Sequence, residues 1–176
     1  MTLSLTLMGG VNPCVIAKTY LSVEEAKQVI FPGKYFSRVK FDISEEIRRE
    51  LKKISGIHHP LSKSQFWLAN DGTWFIVDEV VGKHEMITYA VGINHLGKIT
   101  EVQILEYNET YGHQIREVSW RNQFIEKDSR HQIRLNHDIA NISGATLSCK
   151  HVTDGIRRLM ALHSLLLRKL KSHDTV

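Results

Sequence analysis

Apolar residues recur along this chain with two different periods. In the middle, Trp74–Val81, Met86–Ile93 and Ile99–Tyr107 are rich in Val, Ile, Thr and aromatic residues in partial alternation, with Gly or Asn in the breaks. That pattern predicts three strands. Asn70-Asp71-Gly72 and Asn94-His95-Leu96-Gly97 mark the turns of an antiparallel meander. Toward the C-terminus the period lengthens. Val152, Ile156, Leu159, Met160, His163, Leu166, Leu167 and Leu170 fall at helical spacing, and Arg157, Arg158, Arg168 and Lys169 lie mostly off that stripe, as on a solvated face. Ahead of the sheet, Ser22-Val23-Glu24-Glu25 has the form of a capping box and predicts a helix to about Ile30, ended by Phe31-Pro32-Gly33. Another helix should follow Ser44, with Glu45 and Glu46 in its first turn, Ile43, Ile47, Leu51 and Ile54 on one face, and Gly56 closing it. A short helix is predicted around Trp120–Phe124, then a polar loop from Lys127 to Asn141. The fold class is α+β: an antiparallel β-sheet packed with helices, the last of them long.

Composition narrows the picture. The 176 residues, 42% hydrophobic and 24% charged, are those of an ordinary single domain. The net charge of +4 comes from basic residues spread along the chain. They are neither clustered nor interleaved with aromatics, so nucleic acid is not an expected partner. Two cysteines, Cys14 and Cys149, make no disulfide framework. No run approaches the roughly 18 apolar residues of a membrane span. Residues 1–17 carry no charged side chain and end in Val15-Ile16-Ala17 before Lys18. They read as a shortened signal peptide without its basic start, with the single domain over 18–176 and an exported, periplasmic location. The alternative is a cytosolic chain that begins with an apolar strand or tail.

Several chemical signals fail on inspection. Gly92 to Ile99 nearly spells a phosphate-binding loop, but Ile99 stands where a Ser or Thr must hold magnesium, and the segment joins two strands. The ten histidines show no metal-ligand spacing, so no metal site is expected. Cys149 has no identifiable histidine partner for nucleophilic work.

One segment stands apart. Ser143-Gly144-Ala145-Thr146-Leu147-Ser148 lies between the polar loop and the start of the last helix, with Lys150 one turn in. Gly144 permits a left-handed turn, Ala145 leaves room for a large group, and Thr146 offers a hydroxyl where helix N–H groups favour an anion. Local physics leaves two readings open: a phosphate site, or Ser143, Thr146 and Ser148 as plain helix caps.

Asn141-Ile142-Ser143-Gly144-Ala145-Thr146, with Leu147-Ser148, resembles the flavinylation motif of FMN-binding domains, such as the small flavin subunits of sodium-pumping NADH:quinone reductase and of Rnf complexes. Gly82, the strand Ile87–Val91, the hairpin Asn94–Lys98, and Val102–Leu105 leading to Glu109-Thr110-Tyr111-Gly112 resemble further segments of that domain. The likeness spans about Gly82 to Leu159, and Tyr20 to Pro32 is loosely similar to the mature start of exported members. The resemblance implies that a flavin transferase using FAD and magnesium attaches FMN through its phosphate to Thr146, releasing AMP. The family often has Asp six residues before the acceptor; here Ala140 stands there and Asp138 lies two residues upstream. Tyr111 and Trp120 are the aromatics expected near the flavin ring, with Glu109 and Gly112 on the opposite rim. The implied function is an electron carrier working with a redox protein or membrane electron-transfer partner, without a catalytic constellation of its own. The rival is a non-redox interaction module or a noncovalent flavin-binding protein.

Overall fold

The computed structural model describes residues 19–170. The leader over 1–17, the mature start at Lys18 and Cys14 lie outside them. Five strands form one antiparallel sheet in chain order: β1 (Ser37–Val39), β2 (Gln65–Leu68), β3 (Trp74–Val81), β4 (Met86–Ile93) and β5 (Ile99–Tyr107). Four helices accompany them: α1 (Val23–Ile30), α2 (Glu45–Ser55), α3 (Val118–Arg121) and α4 (Thr146–Leu165). The α+β class and the three predicted strands are as expected. β1 and β2 are additions, too short and, in β1, too polar to show a period.

Strand alternation sorts the core into two layers. Phe75 and Val77 of β3, with Trp67, Ala90 and Leu105, face α1 through Ala26 and Ile30. Ile76 and Val80, with Tyr89 and Val91, face α4 through Val152, Ile156 and Leu159. β3 is thus buried on both faces, which is why its sequence is nearly continuous in apolar residues. α2 lies on α4 and closes the layer from outside. The chain enters along β5, where the Tyr20 N–H donates to the Leu105 carbonyl at 2.8 Å. That contact covers part of an otherwise open edge.

The capping box at α1 is complete: the Ser22 hydroxyl accepts from the Glu25 N–H and the Glu25 carboxylate accepts from the Ser22 N–H at 2.8 Å. α2 begins at Ser44 and ends at a left-handed Gly56, as its sequence signals predict. The Trp120–Phe124 region divides into α3 and a 3-10 turn over 122–124.

α4 departs from expectation twice. It leaves helical geometry at Leu166, and the apolar stripe continues through a 3-10 turn that still buries Leu167. Of the four basic residues expected on a solvated face, Arg168 and Lys169 are exposed, whereas Arg157 and Arg158 turn inward. The Arg158 guanidinium, 2% exposed as a residue, donates to Asp78 Oδ2 at 2.8 Å and to the His59 carbonyl at 3.0 Å. Arg157 donates to the Ile54 and Ser55 carbonyls at 3.0 and 3.1 Å, satisfying the C-terminus of α2. A helix covered by a sheet on one side and by α2 on the other must place some polar residues inside, and here the two arginines find partners. Close approach is allowed at Gly155, where a Cβ would collide with the Tyr89 hydroxyl and come within 2.8 Å of Val80 Cγ1.

Candidate functional site

The polar loop delivers Asn141–Ala145 to the first turn of α4. Gly144 turns the chain at φ +81°, and Ala145 is the N-cap residue, with no side chain capping the helix. The helical ladder starts with the Cys149 N–H donating to the Ala145 carbonyl. The N–H groups of Thr146, Leu147 and Ser148 therefore lie ahead of the ladder, at the positive end of a 20-residue helix. Ser143 is exposed and does not act as a cap, and Thr146 is the first helical residue. Its side chain is exposed, and Oγ1 accepts a hydrogen bond from the Asn141 amide at 2.9 Å. Asn141 fixes the oxygen while leaving its proton free, a role that sequence reasoning did not assign to it.

The Glu109–Gly112 segment, distant in sequence, meets this turn. The Tyr107 hydroxyl donates to the Tyr111 carbonyl and pairs with Ser148 Oγ at 2.9 Å. Gly112 has φ +93°, and a Cβ there would strike the Tyr107 hydroxyl and come within 3.2 Å of Ser148 Oγ and 3.3 Å of Ala145 Cβ. Glycine is required at Gly112 both by the left-handed backbone and by contact with the motif. Tyr107, unnoticed in the sequence because it ends a strand like any other aromatic, is the hinge between the two segments. Burial raises its phenol above the ordinary value and keeps it protonated as a donor.

The other predicted residues divide. Thr110 and Tyr111 are exposed, Tyr111 at 80%. Glu109 turns toward the β3–β4 hairpin, where its carboxylate accepts from the His84 and Glu85 N–H groups at 2.6 and 3.1 Å. Burial opposes its ionisation, but the hairpin N–H groups outweigh this and hold the carboxyl below the usual range. Trp120 is 3% exposed and stacks edge-on against Phe124, with ring centroids 5.1 Å apart. Its indole N–H donates to the Ala140 carbonyl at 2.9 Å, and the Ala140 N–H donates to Gln123 Oε1 at 2.7 Å. Trp120 thus anchors the root of the motif loop from inside the core. Asp138 accepts from the Ile133 and Arg134 N–H groups and shapes the loop upstream, away from the Thr146 hydroxyl.

One turn further along α4, Lys150 pairs with Asp154 at 2.5 Å, and His151 Nδ1 lies 2.5 Å from the Val81 carbonyl. These residues, with Val80, Val81 and the 56–59 segment, enclose an open cavity of about 210 Å³. Leu147, on the first turn of α4, is 44% exposed, and Val81, at the end of β3, 46%. Cys149 is fully buried, and burial raises its thiol above the ordinary value, so it remains protonated rather than nucleophilic. Among the described residues no group of His, Cys, Asp or Glu is placed to hold a metal ion, and no helix is long and apolar enough to cross a membrane.

Comparison with known families matches residues 82–161 to the FMN-binding domain. The match runs from the β3–β4 hairpin through Glu109–Gly112 and the motif into α4. No curated protein matches the chain.

Proposed function

Residues 82–161 belong to the FMN-binding domain family, and from that premise we propose that the chain carries FMN as a phosphoester on Thr146 and serves as an electron carrier. The observation that carries this reading is the exposed Thr146 hydroxyl at the uncapped start of α4, with its oxygen oriented by Asn141. The residues fit the group. A phosphodiester on Thr146 would be an anion beside the free N–H groups of the first turn. Gly112, Ala145 and Gly144 keep side chains away from that turn, and Ser148, held by Tyr107, fixes its orientation.

Magnitudes favour a covalent link over noncovalent retention. A helix terminus contributes at most about 2 kcal/mol to an anion. A micromolar ligand needs about 8 kcal/mol. With Tyr111 exposed and Trp120 enclosed in the core, the predicted aromatic pair does not form a slot that would supply the difference. An ester bond removes the requirement. In the attachment step, Thr146 Oγ1 bonds the FMN-side phosphorus of FAD, the pyrophosphate P–O bond breaks, and AMP leaves as the hydroxyl proton is released. A transferase supplies FAD and magnesium, and the uncharged leader supports maturation after export to the periplasm. The bound flavin would supply the redox chemistry, and this chain's residues orient it toward a redox protein or a membrane partner.

The test is mass spectrometry after co-expression with a flavin transferase in the exporting compartment. The expected result is the mass of one FMN less one water, confined to the peptide containing Ser143–Lys150. Thr146→Ala should fold and lack it, and Thr146→Ser should retain some. Wild-type protein without the added mass, or Thr146→Ala carrying it, overturns the proposal.

A further inference from the structure

An FMN attached through its phosphate must also seat its isoalloxazine ring. Resting on the proposed attachment at Thr146, we infer that the ring lies in the cavity between the 56–59 segment and α4, against Val80 and Val81, on residues that belong largely to the N-terminal half of the chain. The direction follows from helix geometry. Thr146, Lys150 and Asp154 are spaced i, i+4 and i+8 and share one stripe of α4, and Lys150 and Asp154 line the cavity. At 1.5 Å per residue the cavity begins about 6 Å from Thr146 and ends about 12 Å away. A five-carbon ribityl chain with its phosphate ester covers such a span. Leu147, exposed on the first turn, lies i+3 and i+4 from Lys150 and His151 and leads from the acceptor into the cavity.

The cavity suits one flat ring. Its 210 Å³ is below the roughly 300–1,000 Å³ of a pocket that engulfs a ligand, and it is open to solvent. Val80, the half-exposed Val81 and the half-buried Ile57 offer an apolar wall. His58, His59 and Lys150 offer N–H groups for the carbonyl edge of the ring, where negative charge accumulates on reduction. The wall is also built to stay in place: Arg158 holds the His59 carbonyl from α4, and His151 holds the Val81 carbonyl. An open seat would leave one ring edge exposed for electron transfer. The 56–59 segment lies outside the matched residues 82–161, so it would adapt the flavin to this chain.

The experiment compares the full chain with and without attached FMN by amide NMR. Shifts centred on residues 57–59, 80–81 and 151, with 111–114 unchanged, are expected. Shifts centred on 111–114 overturn the placement. Ile57→Trp, at a half-buried position lining the cavity, fills the seat: FMN should remain on the Thr146 peptide, while iodide quenches flavin emission several-fold more strongly. The pair His58→Ala and His59→Ala, which leaves the apolar wall intact, should move the flavin midpoint potential to more negative values. Unchanged quenching in the first variant together with an unchanged potential in the second overturns the inference. Absence of the FMN mass from the wild-type protein is a different failure, because it removes the attachment itself and this inference with it.

Discussion

Arg158→Met should be among the most damaging single changes away from the motif. The Asp78 and Arg158 side chains are 1% and 3% exposed, and the guanidinium is the cation 2.8 Å from the carboxylate. The Ser64 hydroxyl at 2.5 Å and the Tyr89 hydroxyl at 2.7 Å also donate to Asp78, but both are neutral. Methionine fills much of the arginine's apolar volume, so the loss isolates the charge rather than opening a cavity. A buried carboxylate stripped of its partner costs about 3–5 kcal/mol, a large fraction of the roughly 5–15 kcal/mol that holds a domain together. Urea denaturation followed by circular dichroism measures it. With a slope of about 2 kcal/mol per molar, the midpoint should fall by about 1.5–2.5 M. Adding Asp78→Asn should restore most of the loss, because removal of both charges leaves no isolated ion. The reasoning is refuted if Arg158→Met costs less than about 1 kcal/mol, or if the double variant is no more stable than the single one.

Three further outcomes are expected. His163 lies buried beside the β4–β5 turn, and burial, aided by the charge of Arg168, lowers its pKa from 6.5 to about 4; the unfolded chain binds the proton first, so stability is complete above pH 6.5 and falls as pH drops toward 4, by up to about 3 kcal/mol. Thermal unfolding of wild type and His163→Leu across that range should show the extra acid sensitivity only in wild type, and parallel curves would contradict it. Gly112→Ala should cost about 2–4 kcal/mol from the left-handed backbone and the crowding of Tyr107, with reduced FMN attachment by mass spectrometry; normal attachment at normal stability would disprove the contact's importance. Gly155→Ala should destabilise α4's seat on the sheet despite a helix-propensity gain of about 1 kcal/mol, and Tyr89→Phe in the same chain should relieve part of the crowding; an alanine variant melting above wild type counts against this.

Local signals in the sequence specify a good deal of this protein. The hydroxyl and carboxylate of Ser22 and Glu25, the cap at Ser44, the stop at Gly56 and the alternation of β3, β4 and β5 act within a few residues, so each is legible without the fold. The motif is legible for the same reason: a glycine, a small residue and a threonine before an apolar helical stripe constrain one turn. Tertiary structure decided what faces what. β2 has four residues and β1 three, too few for a period, and only the pairing of β2 with β3 and of β1 with β2 makes them strands. Arg158 has the composition of a surface residue and becomes interior because α2 and Asp78 cover it. Trp120 could line a slot or fill a core, and packing against Phe124 placed it inside, holding the motif loop at Ala140. Tyr107, Asn141 and the 56–59 segment carry no local mark of their roles. Asn141 reaches Thr146 within the motif turn, whereas Tyr107 meets Ser148 and the 56–59 segment meets Arg158 through hydrogen bonds that exist only once α4 has docked. Backbone preference is set by neighbours along the chain, whereas the direction of a side chain toward a distant one is set by burial.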